Sequence, residues 1–285
     1  MTIWELDFYS RPLLDEAGKK LWEILICETP TRIQQDPAEL FRYSEFCGNT
    51  DVNSITLKKA IEKAIATSGQ SPTKIRFFRR QMNNMITKGC EDAGIPAAPS
   101  RRTYSLMQWI TEREQEVYPQ EPNYDTTAAQ SSSVQYPALN AVALPDAVRG
   151  DKGDKWAIVS LEAAAFDDFD DWEIAFGEPF PLKNLDPNTK IPGLLIFSPR
   201  AVPLAGWMSG LEMGFLHLQK NPRASLVLET GVSDSWIVAD LPNNQTVQEA
   251  ESFETAKKAA QGIHFLAIQQ NPNDEKFAGL WMLQE

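Results

Sequence analysis

The sequence is poor in the residues that most often carry chemistry. It holds two histidines, His217 and His264, and three cysteines, Cys27, Cys47 and Cys90, in 285 residues. The cysteines lie 20 and 43 residues apart, a spacing that fits neither a disulfide framework nor a zinc site. A reduced cytosolic compartment, with the thiols buried, is the expectation. The histidines stand 47 residues apart with no partner at ligand spacing, so no metal and no cofactor is expected, and each imidazole reads as structural. No apolar run approaches the ~18–20 residues that a membrane-spanning helix needs. Neither GxGxxG nor a Walker loop occurs, which removes the usual backbone cradles for phosphate. Gly206-Trp207-Met208-Ser209-Gly210 resembles a nucleophile elbow, but its serine comes one position late, which argues against a serine hydrolase. Met1-Thr2-Ile3-Trp4-Glu5 has no basic region leading into an apolar core, so no secretory signal is expected there. A 42% hydrophobic content with 15 scattered glycines excludes both a disordered chain and a collagen-like fibre.

Charge is unevenly spread. The net charge is −12, from 27 basic and 39 acidic residues. Residues 1–119 hold 16 of each sign, so residues 120–285 carry the whole deficit. Inside the neutral half, residues 74–102 contain Lys74, Arg76, Arg79, Arg80, Lys88, Arg101 and Arg102 against Glu91 and Asp92 alone. An acidic chain repels polyanions in the mean, so nucleic-acid contact would have to start on this basic stretch.

The patterning predicts a mixed α+β protein of the α/β type in two domains, 1–118 and 136–285, joined by a Pro/Gln/Ser/Thr linker over 119–135. Alternation over 3–9 and 21–27, around the turn residues 15–20, predicts an N-terminal β-hairpin. Ser54 is the expected N-cap of a helix that Gly69 ends. A strand at 74–80, a helix at 81–93, a strand at 97–103 and a helix from Tyr104 to Val117 complete the first domain. The second, acidic domain is expected to be a mixed sheet. Its strands are read at 155–161, 191–197, 224–230, 235–241 and 277–283, with two long helices at 203–219 and 246–269. Both histidines fall within those helices.

On the strand 74–80, Arg76, Phe78 and Arg80 share a face. An aromatic flanked by arginines on an exposed sheet stacks an unpaired base and holds its phosphates. The opposing reading, Phe78 in the core behind a solvated basic face, stays open. Arg79, Arg101 and Arg102 extend the basic set. Glu5, Asp7 and Glu23 are the one set of carboxylates that a magnesium-dependent nuclease could use. A turn centred near Ala17 would set Asp7 opposite Cys27 and Glu23 opposite Arg11. That leaves roughly 13 Å of strand between Asp7 and Glu23 at ~3.3 Å per residue, so an Arg11–Glu23 pair is expected in place of a shared metal. Asp167, Asp168, Asp170 and Asp171 lack the turning glycine of a calcium loop and read as a solvated acidic turn.

Ile3-Trp4-Glu5-Leu6-Asp7-Phe8-Tyr9-Ser10-Arg11-Pro12, with Asp15, Gly18-Lys19-Lys20 and Leu21-Trp22-Glu23, resembles the opening of a chloroplast and cyanobacterial family. Its members are RNA-binding factors required for translating the message of a photosystem I reaction-centre protein. Ile75-Arg76-Phe77-Phe78-Arg79 and Pro199-Arg200-Ala201 through Gly210 are similar to internal blocks of that family. Trp281-Met282-Leu283 resembles its closing Trp-Leu-Leu with the middle residue changed. The resemblance implies a non-catalytic factor for translation and biogenesis of photosystem I, and in its wider form of photosystem II. It implies RNA, the 5′ leader of a photosystem I message, as the partner, and the basic stretch suits single-stranded RNA better than duplex DNA. The resemblance also implies a cyanobacterial member that is cytoplasmic or peripheral to the thylakoid, since no transit peptide is read ahead of the opening block. By residues alone, Leu280, Met282 and Leu283 read as the last strand of the acidic domain, with Trp281 a stacking platform or an interface plug. By charge, the acidic C-terminal domain is expected to hold a protein partner or to gate access to RNA. A protein-only photosystem assembly factor and a metal-dependent nuclease-like enzyme are the alternatives from other classes.

Overall fold

A computed structural model describes residues 2–129, 140–150 and 153–285; part of the expected linker, 130–135, lies outside the described residues. The chain is mixed α+β and divides into two compact units. Unit 1 comprises Met1–Pro30 and Pro37–Pro137, and unit 2 comprises Thr31–Asp36 and Ala138–Glu285.

Unit 1 is built on a five-stranded sheet. Strands β1 (Ile3–Leu14), β2 (Lys20–Glu28) and β3 (Arg42–Cys47) form an antiparallel meander. Helix α1 (Ser54–Ser68) leads to β4 (Lys74–Phe77), and α2 (Asn83–Asp92) crosses to β5 (Ala97–Pro99), so that β4 and β5 run parallel to β1. The order is β3-β2-β1-β4-β5. Helix α3 (Tyr104–Glu112) runs on as a π-helical turn over Arg113–Val117, and α4 (Thr126–Ala129) follows.

The period-2 alternation of β1 decides what each face holds. Trp4, Leu6 and Phe8 pack with Ile24 and Ile26 of β2 under α1 and α2. The two helices approach closely at Gly89, where a Cβ would meet Leu57 Cδ2 at 2.8 Å. On the opposite face, Leu25, Cys27 and Phe78 pack against Leu106, Trp109 and Ile110 of α3. Glu5, Asp7 and Glu23 alternate onto this second, buried face. The cap of α1 is Asn53, whose side chain accepts from Thr56 N at 2.9 Å, one residue ahead of the expected Ser54.

Unit 2 contains two sheets. Its strands are β6 (Val142–Ala143), β7 (Lys155–Glu162), β8 (Ile174–Glu178), β9 (Lys190–Phe197), β10 (Met213–Gln219), β11 (Ser225–Thr230), β12 (Asp234–Asp240), β13 (Ile263–Gln269) and β14 (Phe277–Gln284). Helix α5 (Ala201–Ser209) follows β9, and α6 (Asn244–Ala259) follows β12. The orders are β10-β11-β12-β6 and β7-β9-β13-β14-β8. One apolar core joins α5, α6 and residues of both sheets, among them Leu204, Phe253, Leu216, Leu228, Leu266 and Trp281.

The two long helices expected here are each a helix followed by a strand. Helix α5 stops at Gly210, and Met213–Gln219 is β10, so the apolar spacing of Leu211, Phe215 and Leu218 belongs to no helix. Helix α6 stops at Ala259 because Gln261 and Gly262 adopt φ of 57° and 81°, left-handed values that no helix accommodates. The run Ile263–Gln269 is then a central strand buried at every residue, and its lack of alternation reflects cover on both faces. His217 and His264 consequently lie on strands.

Candidate nucleic-acid interface

Unit 1 encloses a network of opposite charges between its sheet and α3. Asp7 is wholly buried and accepts two guanidinium groups: Arg11 Nη2 reaches its Oδ2 at 2.9 Å, and Arg79 binds both oxygens, with Nη2 at 3.0 Å from Oδ2. Burial alone would raise the Asp7 pKa, but the charges of Arg11 and Arg79 outweigh it and hold the carboxyl below its ordinary value. Glu23, equally buried, accepts from Arg11 Nε at 3.1 Å, from Tyr118 OH at 2.5 Å and from Arg113. Arg11 therefore joins two carboxylates.

The expected Arg11–Glu23 pair forms, but in a different register from the one expected. Asp7 stands opposite Leu25, and Glu23 opposite Tyr9, because the ladder is irregular between Ser10 and Leu14. That shift brings Asp7 and Glu23 within reach of one guanidinium. Among the described residues, no group of three His, Cys, Asp or Glu side chains is arranged to hold a metal ion.

Glu5 has a separate role. Its Oε2 accepts from Leu106 N at 2.8 Å and its Oε1 from Thr29 Oγ1 at 3.0 Å. Leu106 lies in the first turn of α3, whose preceding Thr103 makes no side-chain cap. A carboxylate from β1 thus caps α3 in tertiary structure, where a helix start favours negative charge. Burial raises the Glu5 pKa to about 7, against the Leu106 and Thr29 bonds and the nearby charges of Arg76 and Arg102.

This arrangement relocates most of the expected RNA-contacting residues. Strand β4 ends at Phe77, so the alternation expected through residue 80 breaks off, and Phe78 turns into the core at 2% exposure. The exposed aromatic platform is therefore not formed at Phe78, and the core reading of this residue is the observed one. Arg76, Arg79 and Arg102 are also buried. Arg79 lies over the Tyr9 ring, with its guanidinium carbon 3.6 Å from the centroid. Arg101 is half-buried and Arg80 exposed. Trp281 is 3% exposed, packed on Gly279 in the same unit 2 core as Ala205, and Met282 and Leu283 are fully buried beside it in β14. The Trp-Met-Leu tail forms core, as a last strand would.

In unit 2, two buried polar side chains and a half-buried one cap backbone groups on the open edge of a sheet. Strand β10 is the edge of the four-stranded sheet. Its Leu216 N–H donates to His264 Nε2 at 2.8 Å, its Leu216 C=O accepts from Lys257 Nζ at 2.7 Å, and its Leu218 N–H donates to Glu254 Oε1 at 2.8 Å. Lys257 is neutralised by Glu254 at 2.9 Å and by Glu285. Burial, with the Lys257 charge beside it, pushes the His264 pKa down to about 3, so the ring is a neutral acceptor for an amide hydrogen. Nothing in the sequence separated this role from that of an inert core histidine. Lys257, in the helix expected over 246–269, has its partners at Glu254, Leu216 and Glu285, of which only Glu254 is near in sequence.

The acidic turn is exposed at Asp167, Asp168, Asp170 and Asp171. Phe166, Phe169 and Trp172 anchor it, with Trp172 in ring contact with both phenylalanines and stacked on Phe277 at 5.9 Å. The cysteines are free thiols, with Cys27 and Cys90 buried and Cys47 half-buried. Burial raises all three pKa values, to about 11 for Cys47 and about 12 for Cys90.

Comparison with known proteins defines the class. Residues 3–113 match the family model described as RNA-binding protein Tab2/Atab2 N terminal, and residues 131–284 match its C-terminal domain. These are the two halves of an RNA-binding protein. The chain belongs to the Tab2/Atab2 family. It is 38% identical to the maize (Zea mays) protein named TAB2 homolog, chloroplastic, over 98% of this chain and 70% of that protein. It is also 38% identical to the Arabidopsis thaliana protein of the same name, over 98% of this chain and 74% of that one. No solved structure matches the chain. No helix among the described residues is long and apolar enough to cross a membrane.

Proposed function

We propose that this protein is a non-catalytic RNA-binding factor that promotes translation of a photosystem I message, with the 5′ leader of a reaction-centre protein's message as its target. The observation that carries the reading is the family match across both units, joined to 38% identity with TAB2 homologs over nearly the whole chain. The plant relatives are chloroplastic by name. This chain would act where photosystem proteins are translated, in the cytoplasm or at the thylakoid surface of a cyanobacterium.

Among the basic residues, we assign phosphate contact to exposed Arg80 and half-buried Arg101. Arg76, Arg79 and Arg102 support them from below, and Phe78 and Trp281 hold the frame. Burial supports this division, since a side chain a few per cent exposed offers a single strand no stacking surface.

The test is equilibrium binding of the full chain to that leader and to an unrelated one, over a salt series, beside Arg80→Ala. Preferential binding is expected, with a log–log salt slope of about 0.7 per neutralised phosphate and a shallower slope in the variant. Absence of binding at low salt would remove the direct RNA reading.

A further inference from the structure

Unit 2 treats the edges of its sheets differently. The edge strand β10 has backbone groups capped by His264, Lys257 and Glu254. The edge strand β8 pairs with β14 on one side and, among the described residues, with no strand on the other. Phe277 N–H donates to Glu173 C=O at 2.9 Å, which turns the backbone of Glu173 toward β14. Successive residues alternate, so the N–H and C=O of Ile174 and Phe176 point away from the sheet. The strand Ile-Ala-Phe-Gly-Glu carries no lysine, proline or bulge, the usual devices that keep an edge from pairing.

Two further observations adjoin this edge. A groove of about 420 Å³ opens beside the start of β8. Its wall is mostly apolar, with Ile174, Phe277, Pro199, Val202 and Pro203 beside the polar Glu173, Gln270, Asp274 and Lys276, and Val202 is 61% exposed. The segment entering β8 is acidic, with Asp167, Asp168, Asp170, Asp171 and Glu173 all exposed. Lys276, which pairs with Glu173, is the one basic residue lining the groove. Negative charge beside an open edge repels another copy of this acidic chain and attracts a cationic strand.

We propose that β8 is a docking edge for an extended basic peptide segment of a partner protein. The segment adds a strand to the five-stranded sheet and bonds to the Ile174 and Phe176 backbone. Alternate apolar side chains enter the groove beside α5, and its lysines or arginines meet the acidic turn.

The probe is a synthetic peptide of alternating lysine and valine, tested on the full chain beside its glutamate–valine counterpart and a uridine oligonucleotide. Ile174→Pro removes an outward N–H and spares the bonds to β14. Asp170→Lys with Asp171→Lys reverses charge on exposed positions and leaves the strand alone, which keeps the test decisive should the proline variant misfold. The lysine–valine peptide is expected to bind, to slow amide exchange at Ile174 and Phe176, and to lose about tenfold or more in affinity in each variant. Equal binding of the glutamate–valine peptide, or peptide binding indifferent to both variants, would overturn the proposal. Protection of β8 by the oligonucleotide in place of the peptide would overturn it in favour of nucleic acid. Self-association abolished by Ile174→Pro would overturn it in favour of a second copy of the chain.

Discussion

The two units place their charges in opposite ways. Unit 1 draws Arg11, Arg76, Arg79 and Arg102 inside, together with Glu5, Asp7 and Glu23. Unit 2 leaves most of its acids outside and buries Lys257 and His264 against the edge of a sheet. A local excess of arginine in a sequence therefore measures binding capacity only after the internal demand for it is subtracted. In unit 1 two carboxylates on adjacent strands consume Arg11, Arg79 and Arg113.

The sharpest way to break this contrast is to empty the interior of unit 1. Arg11→Met leaves Asp7 and Glu23 short of a counter-charge, and breaking a buried pair from one side costs about 3–5 kcal/mol. Urea denaturation at pH 7 should show that loss. In unit 2, His264→Phe strands the Leu216 amide, for a cost of about 1–3 kcal/mol. The same substitution also removes an acid sensitivity. His264 titrates near pH 3 folded and near its ordinary 6.5 unfolded. The unfolded chain therefore binds the extra proton between those values, and wild-type stability falls as pH drops below 6.5. Denaturation midpoints of the variant at pH 4 and pH 7 should differ less than those of the wild type.

Glu5 gives a change of opposite sign. Its folded pKa of about 7 lies above the ordinary 4.5, so the folded state holds the proton longer and stability declines as pH rises from 4.5 to 7. Glu5→Gln keeps an acceptor for Leu106 N–H and should abolish that decline, which amounts to something on the order of 3 kcal/mol. Midpoints at pH 5 and pH 8 separate the outcomes. The smallest expected effect on folding is that of Arg80→Ala, within about 0.5 kcal/mol for an exposed position. A larger loss would show that Arg80 belongs to the interior set with Arg79.

Much of the architecture was legible from residue patterns. The N-terminal hairpin, α1, α2 and the strands β7, β9, β11, β12 and β14 follow from alternation, helical spacing and glycine stops. Strand β13 was not legible, because a fully buried central strand shows no alternation and its apolar run extends that of α6. Strand β10 was hidden because its apolar residues continued a helical spacing past Gly210. At the candidate site, the Arg11–Glu23 contact was readable from the hairpin alone. Its true register depended on an irregularity between Ser10 and Leu14, where Pro12 lacks the N–H that a regular ladder needs. Phe78 was ambiguous because its environment is set by where β4 stops, which depends on cover by α3.

Arg11 has one more consequence. A guanidinium held between two buried carboxylates is a counter-ion tethered to the chain that needs it. It cannot be diluted, chelated or exchanged for a competing ion, and its effective concentration is fixed by the hairpin that carries it. The charge balance at the heart of unit 1 is therefore screened far less by the salt around the protein than a surface pair would be.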